Sequence, residues 1–238
     1  MYSLLRIFQT KLIMPSMLNR FTRKKIKSKF HRLVHGFDSA NYWENRYKKG
    51  GNSGAGSYSR LASFKAEKIN DFIDVHHIQS CVEWGFGDGN QLAMFSIPTY
   101  HGLDVSQTVV DQARITFKAD KTKSFEIVNE FNRKQKSFEL SMSLDVIYHL
   151  IEDTVFTSYM RDLFDSSEKF VIIYASNKTD ENYVPGHHVK HRAFSDWVEK
   201  NRPEFQQIDM IPNPYPEDSN NPKETSFADF YFYEKVDR

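Results

Sequence analysis

The sequence predicts an α/β fold: a mostly parallel, seven-stranded sheet with helices on both faces. Three observations predict it. Short apolar strands alternate with helix-period segments from residue 61 onward, and that alternation calls for right-handed crossovers between parallel strands. One strand, Cys81-Val82-Glu83-Trp84, runs straight into a glycine turn, Gly85-Phe86-Gly87-Asp88-Gly89. The next, Tyr100-His101-Gly102-Leu103-Asp104-Val105, ends on an acid. An acid about 20 residues beyond such a turn is placed to take a ribose hydroxyl.

Taken in order, residues 20–37 set Ile26, Phe30, Leu33, Val34 and Phe37 at helical spacing, with Lys and Arg between them. This reads as a basic amphipathic helix. It either contacts a membrane surface or anionic polymer, or docks its apolar stripe on the rest of the chain. Residues 1–37 therefore form an extension and 38–238 the domain. The aromatic run Asn41–Tyr47 is predicted helical. The glycine-rich segment from Gly50 to Arg60 has no periodicity and leads into a helix over Leu61–Val75. Strands are predicted at Gln79–Trp84, Tyr100–Val105, Ser124–Asn129, Leu140–Val146, Lys169–Ser176, Phe205–Ile211 and Asp229–Lys235. Helices are predicted to begin at Gln91 and to cover Gln107–Phe117, Thr154–Phe164 and Phe194–Asn201, with Ser106 as a cap.

The glycine turn reads G-x-G-x-G with Glu83 two residues ahead, and Asn90 stands where a dinucleotide loop would carry its third glycine. That argues against an NAD-linked oxidoreductase. The run Glu83 to Gly89 matches (D/E)-x-G-x-G-x-G, and Asp145-Val146-Ile147-Tyr148-His149-Leu150 follows the fourth strand. In these motifs the chain resembles the class I, Rossmann-like, S-adenosylmethionine-dependent methyltransferases, from about Asn41 to the C-terminus. The resemblance implies a last strand that runs antiparallel. It implies S-adenosylmethionine as cofactor, held by Glu83, Gly85, Phe86, Gly87, Gly89, Asn90 and Gln91 at the loop, by Asp104 and Val105 at the ribose, and by Asp145. Glu130 stands where the family contacts the adenine amino group, in a loosely fitting context. The segment before the first strand would be a lid, making Ser57, Tyr58 and Arg60 candidate contacts, with Arg60 facing the cofactor carboxylate; an ordinary surface loop is the other reading.

His149 is the first candidate for general base, because an imidazole titrates near neutrality; a structural histidine at the strand end is the alternative. His188 and His191 are second candidates. They lie in Gly186-His187-His188-Val189-Lys190-His191-Arg192, which reads as an anion-binding loop, a metal site or plain surface. The lack of a nearby carboxylate opposes a metal, and no metal is expected.

The composition is that of a globular chain, 39% hydrophobic and 26% charged. Its single cysteine, Cys81, excludes an internal disulfide, suits a core position and points to a reducing, cytoplasmic setting. Residues 1–37 hold nine Lys or Arg and no acid, which leaves 23 basic against 31 acidic residues, a net of −8, in 38–238. That balance argues against nucleic acid. The expected acceptor is an anionic small molecule or a carbohydrate or lipid-linked glycan, methylated on oxygen or nitrogen, with peripheral membrane contact through the basic helix. Similar-looking sequences point to surface-polysaccharide modification. The rival is a methyltransferase-fold module that binds or regulates a partner without catalysis.

Overall fold

The computed structural model describes residues 37–131, 137–181 and 187–236. Two helices precede the sheet: α1 (Ser39–Lys48) and α2 (Ser59–Val75). Asp38 caps α1 by accepting the Asn41 N–H at 2.9 Å. The Leu61, Phe64, Ile69 and Ile73 side chains form the buried stripe of α2, the spacing that lays an amphipathic helix on a core.

The sheet then follows, with β1 (Ser80–Trp84), β2 (Thr99–Asp104), α3 (Gln107–Thr116), β3 (Lys123–Ile127), β4 (Phe138–Leu144), α4 (Asp153–Asp165), β5 (Ser167–Ala175), α5 (Phe194–Asn201), β6 (Phe205–Ile211) and β7 (Asp229–Lys235). Strand order is β3-β2-β1-β4-β5-β7-β6. Strands β1 to β5 pair in parallel, while β7 runs antiparallel to both β5 and β6. The seven strands, their parallel majority and the antiparallel last strand are as expected.

Strand β5 reads as a continuous apolar run from Phe170 to Ala175 because both of its faces are covered. Leu140, Val171, Ile172 and Ile173 are wholly buried, each contributing about 1.5–3 kcal/mol relative to exposure. Cys81 is a buried core residue, as its position predicts. Trp84 is held inside by donating its indole N–H to Ser166 Oγ at 3.0 Å.

Three local expectations change. The helix expected from Gln91 is one 3₁₀ turn, Leu92–Met94. The third strand stops at Ile127 and passes into a 3₁₀ turn, Val128–Glu130. The fourth stops at Leu144, because Asp145 takes φ 59°, a left-handed conformation that ends pairing. The amphipathic helix expected over residues 20–37 lies, but for Phe37, outside the described residues.

Candidate functional site

Strand order reverses between β1 and β4, and open α/β sheets bind ligands in the crevice at that point. Here the crevice is a cavity of about 530 Å³, within the range of small-molecule sites. Its floor is the glycine turn. Gly85 and Gly87 adopt φ 83° and 67°, open to glycine without strain. A Cβ on Gly87 would run into Ser53 Oγ, so the turn also needs glycine to let the preceding segment close over it.

Asp104 and Glu83 are nearly inaccessible. Asp104 Oδ2 accepts the Gly87 N–H at 3.1 Å and Oδ1 the Ser106 N–H at 2.9 Å. Two bonds leave a carboxylate with lone pairs in hand. Burial pushes Asp104 up to about 6 against the N–H bonds that lower it. Glu83 Oε2 accepts the Tyr100 hydroxyl at 2.6 Å, and burial lifts its pKa to about 7.

Lys65 occupies the opposite corner, 1% exposed, with Nζ 2.6 Å from Asp145 Oδ2. Tyr148 donates to Asp145 Oδ1 at 2.7 Å. Gly56 lies so near that a Cβ there would meet Asp145 Oδ2 at 2.6 Å. Gln91 donates Nε2 to Ala62 O at 2.8 Å, while its buried Oε1 accepts nothing. The cavity lining thus includes an ammonium paired with a carboxylate and, at Gln91, an orphan acceptor.

The sequence candidates divide. Glu83, Gly85, Phe86, Gly87, Gln91, Asp104, Val105, Asp145, Ser57 and His149 line the cavity. Gly89 and Asn90 do not; Asn90 Nδ2 donates to Ser57 O at 2.6 Å and ties the lid segment to the turn. Tyr58 gives its hydroxyl to Asp88 at 2.8 Å, again as a tie. Arg60 points away: its Nε donates to Glu224 O at 2.7 Å and its guanidinium lies over Tyr215. Glu130 lies in a separate open groove with His101 and Arg114, whereas its neighbour Asn129 faces the cavity.

His149 donates Nδ1–H to His188 O at 2.7 Å, and burial lowers its pKa to about 4. It is therefore neutral at pH 7, with Nε2 as its acceptor atom. His188 stacks on it from outside the cavity, at 5.4 Å between centroids. His191 is bonded to Ser176 Oγ at 2.6 Å and does not line the cavity. Lys190 and Arg192 both hold Asp153, each at 2.7 Å, and Arg192 also donates to Leu150 O and Ile151 O. The loop's two cations are therefore engaged by Asp153 and by the Leu150 and Ile151 carbonyls. Among the described residues no three His, Cys, Asp or Glu are grouped to hold a metal.

Sequence reasoning missed Lys65, Ser39, Trp43, Tyr47 and Glu152, all of which line the cavity. A signal existed for Lys65: it stands inside the buried run Leu61, Ala62, Phe64, Ala66, where an unpaired cation is costly. The others depend on contacts remote in sequence.

No family model matches the chain, and no curated protein matches it by sequence. Solved structures do match. The methyltransferase domain of bacterial CtHen1 superposes with TM-score 0.55 at 15% identity, over 73% of this chain and 97% of that one. The N-methyltransferase NodS from Bradyrhizobium japonicum WM9 gives 0.57 at 11%, over 75% and 99%. Magnesium protoporphyrin IX methyltransferase (ChlM) from Synechocystis PCC 6803, solved with bound SAH, gives 0.57 at 12%, over 84% and 100%. The chain has the class I methyltransferase fold.

Proposed function

We propose that this protein binds S-adenosylmethionine in the cavity and transfers its methyl group to an oxygen or nitrogen of a small-molecule acceptor. One observation carries the reading: the glycine turn, Asp104 and the Lys65–Asp145 corner converge on one cavity at the carboxyl edge of the sheet. The groups suit the cofactor. Asp104 has lone pairs for the ribose hydroxyls. Val105, Val128 and Phe131 give apolar walls for the adenine, with Asn129 beside them. Lys65 suits a carboxylate, and Asp145 with Gln91 Oε1 suits an ammonium, so a zwitterionic amino-acid end satisfies every charge there. When bound, the cofactor supplies a methyl group activated by its sulfonium.

The chain's own work is then alignment and exclusion of water. Trp43 and Tyr47 of α1 roof the cavity, and Leu144, Val146 and Leu150 wall it. His149 Nε2, neutral and without a hydrogen-bond partner among the described residues, is left to orient the acceptor. A cytoplasmic setting, membrane contact through residues 1–37 and a glycan acceptor belong to the same proposal; the basic extension supports the second.

The test is the melting temperature with saturating S-adenosylmethionine or its demethylated product. Ligand at 100 times its dissociation constant adds about 2.7 kcal/mol, a rise of roughly 5–10 °C for a chain of this size. The rise is expected to vanish in Asp104→Ala. No rise with either ligand rejects the reading and leaves a non-catalytic module in its place.

A further inference from the structure

The charges around the cavity oppose an anionic acceptor. Among the described residues Lys65 is the one Lys or Arg that lines the cavity, and Asp145 neutralises it. Two lining carboxylates stand where α1 begins, Asp38 and Glu152. Both face the first turn of α1: Asn41 N–H donates to Asp38 Oδ1 at 2.9 Å, and Ser39 N–H to Glu152 Oε1 at 2.9 Å. Trp43 and His149 give the same cavity an aromatic face, with Tyr42 and His188 behind it. Trp43 meets His149 edge to face at 4.9 Å, and Tyr42, His188 and His149 stack in sequence at 5.2 and 5.4 Å. Arg46 lies 5.5 Å from the Trp43 ring but is held by Asn52 O and does not line the cavity. Carboxylates beside an aromatic face attract an organic cation and repel an anion.

We propose that the acceptor is an amine, bound as its ammonium beside Glu152, Asp38 and Trp43, and methylated on nitrogen. This rests on the methyl-transfer reading above. The ammonium first loses one proton to water. The freed lone pair forms the N–CH₃ bond as the CH₃–S bond breaks, and the sulfur keeps that electron pair. The products are a thioether and an N-methylammonium ion, so charge and atoms balance with one proton released. His149 Nε2, whose Nδ1–H is fixed on His188 O, accepts a hydrogen bond from a remaining N–H and so aims the lone pair at the methyl group.

The experiment uses three probes with one ring and three charges: cyclohexylamine, cyclohexanol and cyclohexanecarboxylate. Binding is followed by calorimetry on the full chain saturated with S-adenosylhomocysteine, and methyl transfer by mass spectrometry with S-adenosylmethionine. The amine is expected to bind about tenfold or more tighter than the alcohol, and the carboxylate weakest, since like charges at a site repel. N-methylcyclohexylamine is the expected product. Glu152→Gln should cut the amine's advantage to about threefold or less. Asp38→Asn should weaken it too, while keeping the helix cap because asparagine caps as well as aspartate. Equal binding of the three, preference for the alcohol or carboxylate, or no binding of the amine overturns the inference. If S-adenosylhomocysteine itself fails to bind, the cofactor reading has failed instead, and the two failures are told apart at the first titration.

Discussion

Glu83 and Asp104 lie under the cavity with almost no water contact, and burial raises their pKa values to about 7 and about 6 from ordinary values of 4.5 and 3.8. The folded protein therefore holds more protons than the unfolded chain between about pH 4 and 7. Their contribution to stability is full at low pH and is lost as pH rises through that window. Ribose hydroxyls reverse the preference at Asp104, because donors favour the ionised carboxylate. Cofactor binding should then release protons. Affinity for S-adenosylhomocysteine is expected to rise from pH 5.5 to 7.5 and to level off above. Calorimetry in two buffers of different ionisation enthalpy reads both the affinity and the protons released. A flat profile across that range would mean that neither acid changes protonation on binding. His149 runs the other way: its depressed pKa makes it neutral throughout that range, so it adds no slope of its own.

Helix α1 acts as a roof fixed at three places. Its start is pinned where Ser39 Oγ donates to Glu152 Oε2 at 2.5 Å and lies 3.0 Å from His149 O. Its middle is pinned where Glu44 accepts from Ser106 at 2.5 Å and Thr108 Oγ1 at 3.1 Å, bonds that, against burial, bring Glu44 down to about 2. Its end is pinned through Tyr47 to Ser53, whose N–H reaches Asp88 in the glycine turn. Ser39→Ala removes the hydroxyl bonds and leaves the Ser39 N–H on Glu152. Each lost bond is worth about 1 kcal/mol, so amide exchange in 39–48 should quicken about fivefold to thirtyfold by local opening. Bound S-adenosylhomocysteine should restore the protection. Unchanged exchange would show that the middle and end pins alone hold the roof. These pins also explain what the sequence could and could not reveal. Glu83, Gly85, Gly87, Asp104 and Asp145 were readable because turn chemistry and strand ends are local. Ser39–Glu152 and Lys65–Asp145 join residues 113 and 80 positions apart, and no local pattern announces such pairs. The same holds at Lys190 and Arg192: their charge was legible, but Asp153 as their partner was not.

At the scale of the whole chain, charge is divided against itself. Residues 1–37 carry nine cations and no acid, and residues 38–238 a net of −8. No helix of the described residues is long and apolar enough to cross a membrane. Near an anionic surface each Lys or Arg contributes about 1 kcal/mol, and the domain's own charge opposes approach. The balance is steep in salt, since the Debye length falls from about 10 Å at 0.1 M to about 3 Å at 1 M. The full chain is expected to sediment with phosphatidylserine-containing vesicles at low salt and to leave them at high salt. A chain of residues 38–238 should stay in solution in both, and vesicles of phosphatidylcholine alone should hold neither. The melting-temperature rise with S-adenosylhomocysteine, retained in the shorter chain, shows that it is folded. Equal sedimentation of the two chains would place the contact on the domain, and binding indifferent to salt would make it apolar rather than electrostatic. The division matters for the amine proposal as well. An acidic cavity mouth would draw cations toward it, and an extension that held the chain at anionic lipid would keep it where those cations concentrate. The two opposite charges then serve one encounter, and removing the extension should slow methylation of a membrane-bound amine while leaving that of a soluble one unchanged.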